Sequence, residues 1–255
     1  MEDSNYNKFL SELNLHFDNI VSIINPLGIE LAEKLNSISI SEPQYKVYVI
    51  AFDILKRIRN NIALLQFIRI NDTSCVPYRL ILRSITGDLI ETLYILTIPD
   101  KERSSELWKR ELEFVVHTNL YGISKYEFFE GRNPNSMKGI DLEHLKQIFP
   151  DYVDPDTGTF YSTSGTNRKM STANMLEHLA KREIFSKEYQ QLYSNYKLLS
   201  FTEHYNYFGR RYSYWCENDY IVILDIVKWL YVGIDTLGKI IREWLDTGTI
   251  NTSEN

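Results

Sequence analysis

Lys197 and His204 stand seven positions apart, with Ser200 between them, in the segment from Tyr193 to Trp215. On a helix of 3.6 residues per turn, Tyr193, Lys197, Ser200, Phe201 and His204 fall within about a third of the circumference. An imidazole titrates close to neutral pH, which makes His204 a candidate acid or base. The ammonium of Lys197 can neutralise an anion. Leu192, Tyr196 and Leu199 occupy the opposite side. Both sides are apolar enough to be buried, so periodicity leaves open which one meets the core. If the first does, Lys197, Ser200 and His204 converge on a polar patch between helices. The alternative is a histidine satisfied structurally near a helix end. After Gly209 the segment turns basic and aromatic, with Arg210, Arg211, Tyr212 and Trp215.

A second constellation lies upstream. From Arg79 to Leu96 one stripe holds Leu82, Ile85, Leu89, Leu93 and Leu96, and Leu80, Tyr94 and Ile95 cover the other side. A helix apolar nearly all round is expected at the centre of a bundle. Arg83, Ser84, Asp88 and Glu91 interrupt it. A buried charge needs a partner, so Arg83 and Glu91 are expected to engage groups on adjacent helices. Gly87, between them, would let a neighbouring helix come close. A structural ion-pair network and a binding cleft both fit this pattern. Asp225 and Lys228 likewise interrupt an apolar run. They are expected to pair with each other at i, i+3 or with the Arg83 helix.

These groups need elements to hold them. Helical spacing runs through Phe9, Leu13, Phe17, Ile20, Val21 and Ile24, and Asn25-Pro26 is expected to stop that helix. A short helix near Ile29–Leu35 completes an N-terminal helical appendage over 1–40. Pro43 opens a long amphipathic helix ending near Ile70. Asp72-Thr-Ser74 supplies caps for the Arg83 helix, and another helix starts at Pro99-Asp100 and runs to about Tyr121. Residues 131–172 contain GRNPNSMKG, DPDTG and STSGTNRK, which are turn compositions. This long irregular insertion is expected to be broken only by a short helix around Leu142–Ile148. Helices resume at Ser171-Thr-Ala-Asn, at about Lys187–His204 and at about Asp219–Leu245. The polar tail 247–255 is expected to fray. The whole reads as all-α, a multi-helix bundle forming a single helical domain over 1–255.

Composition narrows the functions. A chain of 255 residues buries enough surface to fold without metals or disulfides. Its net charge of −6 argues against broad contact with nucleic-acid backbones, though not against a local basic pocket. Cys75 and Cys216 have no CxxC partner, which fits reduced thiols and a cytoplasmic location. The start, MEDSNYNKFL, lacks a basic region followed by an apolar run, so no secretory signal is expected. The most apolar stretch, Ile221–Leu230, is cut by Asp225 and Lys228, so no membrane association is expected. There is no GxGxxG, P-loop or HExxH, and no histidine has Glu three residues before it. No cofactor and no metal are therefore expected.

Met175-Leu-Glu-His-Leu-Ala-Lys-Arg-Glu, followed by Tyr196-Lys-Leu-Leu-Ser-Phe-Thr-Glu-His204, resembles a bacterial all-helical family of unknown function. Leu82-Arg83-Ser84 with Glu91 resembles the same family's earlier helix. The overlap runs from Tyr78 to His204. That family is in turn similar to the HEPN superfamily, whose bundles are often ribonucleases or nucleotide-binding modules and pair a basic residue with His on one helix near a dimer interface. Here the basic position is Lys197, which lacks the bidentate fork of Arg. The resemblance implies RNA or a nucleotide as ligand and a homodimer. His204 would act as acid or base at a 2′-hydroxyl. Lys197, with Arg210 or Arg211, would meet phosphate charge, and Asn206 would position a hydroxyl. Phe208, Tyr212 and Trp215 would stack on bases. Arg83, Glu91 and Ser200 would complete the binding set. The competing expectation is a non-enzymatic helical interaction or regulatory module whose polar seam fixes helix register.

Overall fold

Phe9, Leu13, Phe17, Ile20, Ile24, Leu27 and Leu31 recur at three- and four-residue spacing, and all are buried. In the computed structural model they form the inner stripe of one helix, α1 (Asp3–Ser37). The structure describes residues 3–68, 76–116, 142–181, 188–200 and 217–248. The expected stop at Asn25-Pro26 does not occur. Proline removes one backbone donor, but the apolar stripe runs unbroken through Leu27 and Leu31, and packing carries the helix past it. Nor is 1–40 an appendage, because α1 packs along the last helix, α8 (Glu217–Thr247), and against α2 (Pro43–Phe67).

The remaining helices are α3 (Val76–Thr97), α4 (Asp100–Glu113), α5 (Leu142–Ile148), α6 (Thr172–Ala180) and α7 (Glu188–Ser200). The protein is an all-α multi-helix bundle; its described residues contain no strand, only an antiparallel bridge between Val153 and Phe160. None of its described helices is long and apolar enough to cross a membrane.

The contacts divide the chain into two units. The first unit joins Met1–Thr97 to Thr172–Asn255. Within it α3 is central, meeting α2, α6, α7 and α8. Its buried threonines satisfy themselves: Thr86, Thr92 and Thr97 donate to the carbonyls of Leu82 (2.8 Å), Asp88 (2.6 Å) and Leu93 (2.8 Å). Hydroxyls bonded back one turn can sit in a core without a desolvation penalty. Trp244 of α8 closes the end of α3. Its indole N–H donates to the Leu96 carbonyl at 3.2 Å, and its own carbonyl accepts from the Tyr48 hydroxyl at 3.0 Å. A last-turn carbonyl without a helical partner is thus satisfied from a neighbouring helix. Ile223, Ile226, Val227, Leu230, Ile234, Leu237 and Ile241 recur at helical spacing along α8, and all seven are buried.

The second unit is Ile98–Ser171. It begins well before 131, so the irregular insertion is the later part of a larger unit built on α4. The cause is a set of side chains on α4 that hold the loop. Trp108 donates to the Asp151 carbonyl at 3.2 Å, and its ring lies 5.5 Å from that of Tyr161 and 5.9 Å from that of Tyr152. Tyr152 also donates to the Glu111 carboxylate. Glu106 accepts the Met170 backbone N–H at 2.9 Å and pairs with Arg110 at 3.2 Å. The expected short helix is α5. Residues 117–141 and the tail beyond 248 lie outside the described residues.

Where α1 meets α8, His16 has its Nδ1 buried without a hydrogen-bond partner among the described residues. Burial, with Lys228 of α8 second, holds its imidazole below the ordinary 6.5, and Glu12 opposes them. A histidine depressed in the native state binds its proton more readily when unfolded. Stability is therefore expected to fall as pH drops below about 6.5, where the unfolded chain takes up the proton first. Urea unfolding of the wild type and His16→Gln at pH values spanning that range measures this. The variant is expected to have the shallower dependence.

Candidate functional site

Helix α7 buries Leu192, Asn195 and Leu199 and leaves Lys197 exposed. The face that the sequence left open is therefore the leucine face, which packs against α3, α6 and α8. Tyr193, Tyr196 and Ser200 sit half-buried at its margins. Asn195 accepts from the Gln191 amide at 3.3 Å, while its own Nδ2 is buried with no partner among the described residues.

Ser200 and Arg83 meet. The Arg83 guanidinium, half-buried on α3, donates through Nε to Ser200 Oγ at 3.1 Å and through Nη2 to the Tyr196 hydroxyl at 3.3 Å. Its carbon lies 5.2 Å from the centre of the Tyr196 ring. Ser200 in turn donates to the Tyr196 carbonyl at 2.7 Å. Tyr196 thus offers Arg83 both a ring face and an oxygen, and Ser200 is oriented by its own helix. A guanidinium held this way gives up little further rotamer freedom when it binds.

Lys197 is one turn before Ser200. Its ammonium lies 5.5 Å from the centre of the Tyr193 ring, a cation–π contact on an exposed helix face. Residues three apart on a helix are neighbours, so Lys197 and the Arg83–Ser200 link form one cationic edge. His204, Asn206, Arg210 and Arg211, with the aromatics after them, lie outside the described residues.

The charge of Glu91 bears on a different pair. Asp88 of α3 accepts from Arg57 of α2 through Nε at 2.7 Å and through Nη2. The Asp88 side chain is only 7% exposed and that of Arg57 is 61% exposed. Burial pushes the Asp88 carboxyl above its ordinary range despite Arg57, and the charge of Glu91 adds to the push. The same bond raises Arg57, with Glu91 contributing. An ion pair thus reaches from α3 to an adjacent helix through Asp88 and Arg57, with the charge of Glu91 beside it. Arg57 carried no sequence signal, because it projects from the polar side of an amphipathic helix. Tyr196 falls on the leucine side of the helix, and periodicity does not mark its hydroxyl and ring as partners of Arg83. Asp225 and Lys228 are both exposed and form no ion pair with each other or with α3. Their positions lie outside the α8 stripe that faces the core.

The fold and these groups define a class: an all-α bundle with a polar seam between α3 and α7 that ends in a cationic edge. No family model, curated protein or solved structure matches the chain.

Proposed function

We propose that this bundle binds RNA or a nucleotide in the HEPN manner along the exposed margin of α7, inside a bacterial cell. The observation that carries the reading is the exposed Lys197 ammonium, set over Tyr193 and beside the Arg83–Ser200 link. A phosphate meets the lysine charge there, and the tyrosine ring offers a stacking surface. His204 would act as acid or base. It would take the proton of a 2′-hydroxyl as that oxygen attacks the adjacent phosphorus, and return it to the 5′-oxygen as the P–O5′ bond breaks, leaving a 2′,3′-cyclic phosphate. Cys75 and Cys216, neither in a CxxC motif, fit a cytoplasmic setting.

The test is fluorescence anisotropy of a labelled single-stranded RNA, with cleavage followed on the same samples. Binding is expected to weaken with salt, and Lys197→Ala is expected to lose affinity about tenfold and to flatten the salt slope by about one contact. His204→Ala is expected to keep binding and lose cleavage. Wild-type and Lys197→Ala proteins with equal affinity would remove the site.

A second reading is a non-enzymatic interaction module. The hydrogen bonds from Arg83 to Ser200 and Tyr196 favour it, because they are what a tie between two helices requires. On this reading the chain binds no RNA at any salt concentration, and Arg83→Ala changes stability alone.

A further inference from the structure

Trp108, Phe149, Tyr152 and Tyr161 gather where α4 holds the loop of the second unit, and each is half-buried. The Trp108 and Tyr161 planes stand 69° apart, which makes them two walls of a corner. Tyr152 is tilted 30° from Trp108, and Phe149 lies 6.4 Å behind Tyr152. The rings are fixed in place. Trp108 is held by its bond to the Asp151 carbonyl, and Tyr152 by Glu111. Tyr161 is held through its backbone, whose N–H donates to the Tyr152 carbonyl at 2.9 Å beside the Val153–Phe160 bridge. Residues opposite each other across such a bridge turn their side chains to one face. Both tyrosines therefore project from the same face of the hairpin toward Trp108.

The charge around the rings has one sign. Burial first, then Glu111 and then Asp151, push the Tyr152 hydroxyl well above its ordinary 10. No lysine or arginine among the described residues covers these rings, since the cation–π contacts fall on Tyr48, Tyr193 and Tyr196. On the same unit Lys169 is bound to Glu113 and Arg110 to Glu106. Aromatic faces carry negative partial charge. Rings flanked by carboxylates and without a cation of their own attract one from outside.

We propose that the Trp108–Tyr161 corner binds a quaternary ammonium group, with Asp151 and Glu111 supplying the opposite charge. A fully methylated ammonium has no N–H to leave unsatisfied against a ring, whereas a lysine ammonium is strongly hydrated and gives up more. The same group is carried by free choline-like solutes and by trimethylated lysine in a peptide. The site uses no residue of α7 and stands independently of RNA binding.

Heteronuclear NMR of the indole N–H signals of the full chain tests it, with the Trp108 signal assigned from Trp108→Phe. On adding choline, that signal is expected to shift and saturate with a Kd of about 0.1–10 mM. The neutral isostere 3,3-dimethylbutan-1-ol is expected to bind about tenfold more weakly or worse. Tyr161→Leu keeps the backbone bond to Tyr152 and is expected to weaken choline about fivefold. Asp151→Asn keeps the carbonyl that holds Trp108 and is expected to weaken it about threefold. Circular dichroism checks that both variants remain folded. A peptide carrying trimethyllysine is titrated alongside. Tighter binding than choline assigns the group to a protein tail, and weaker binding assigns it to a free solute. No shift at about 50 mM choline overturns the proposal. So does equal binding of the neutral isostere, or an affinity indifferent to both variants.

Discussion

Gly233→Ala is expected to destabilise the protein by about 1–3 kcal/mol, although alanine is the better helix former. A Cβ at position 233 would stand 2.6 Å from Leu89 Cδ2 and 3.5 Å from Leu192 Cδ1. Leu89 is fully buried, so its methyl group has no empty space to move into. The bare backbone at 233 is what lets α8 lie against α3 and α7. Urea unfolding measures the loss, and a double-mutant cycle identifies its cause. Leu89→Ala alone is expected to cost about 2–5 kcal/mol through its cavity. Gly233→Ala added to Leu89→Ala is expected to cost nothing or to stabilise, since the clashing methyl is gone. Strict additivity of the two changes would mean that the contact is not the cause. Gly87→Ala is the contrasting case. A Cβ there would meet Tyr196 Cε2 at 3.6 Å, an ordinary contact, so this variant is expected to gain up to about 1 kcal/mol.

Arg57→Met is the second large effect, a loss of about 2–3 kcal/mol at neutral pH. It leaves the Asp88 carboxylate buried without the guanidinium that holds both its oxygens. The value lies below that for a fully buried pair because the outer end of Arg57 is in water. Its pH dependence follows from burial. The Asp88 carboxyl is already raised above its ordinary 3.8, and removing Arg57 raises it further. A carboxyl raised in the native state takes up its proton there before the unfolded chain does. The Arg57→Met deficit is therefore expected to be largest at neutral pH and to shrink as pH falls towards 4. Asp88→Asn in the Arg57→Met background is expected to recover part of the loss, because a neutral amide costs less to bury than an unpaired carboxylate. Equilibrium unfolding of the single and double variants at two pH values tests both statements.

The helices and their inward faces were legible in the sequence, since helical periodicity is a local property and burial follows it. The α3 stripe of Leu82, Ile85, Leu89, Leu93 and Leu96 is buried throughout. The demand that charge on α3 find partners on neighbouring helices follows from burial as well. Pro26 misled because a local breaker was weighed without the packing along α8 that overrides it. The extent of the second unit was missed for a related reason. Trp108 holds Asp151 across more than forty positions, and no local pattern announces such a contact.

At the candidate site the same division holds. The sequence by itself determined which residues of α7 share a face and that Lys197, Ser200 and Arg83 could serve one seam. Helical geometry and the cost of burying charge require no knowledge of neighbours. Only the tertiary structure decided that the leucine side of α7 turns inward, that Arg83 takes Ser200 and Tyr196, and that Arg57 answers Asp88. It also decided that Gly233 is packed more tightly than Gly87. Each of these depends on which helix lies opposite and at what depth, and that is set by the packing of the whole bundle.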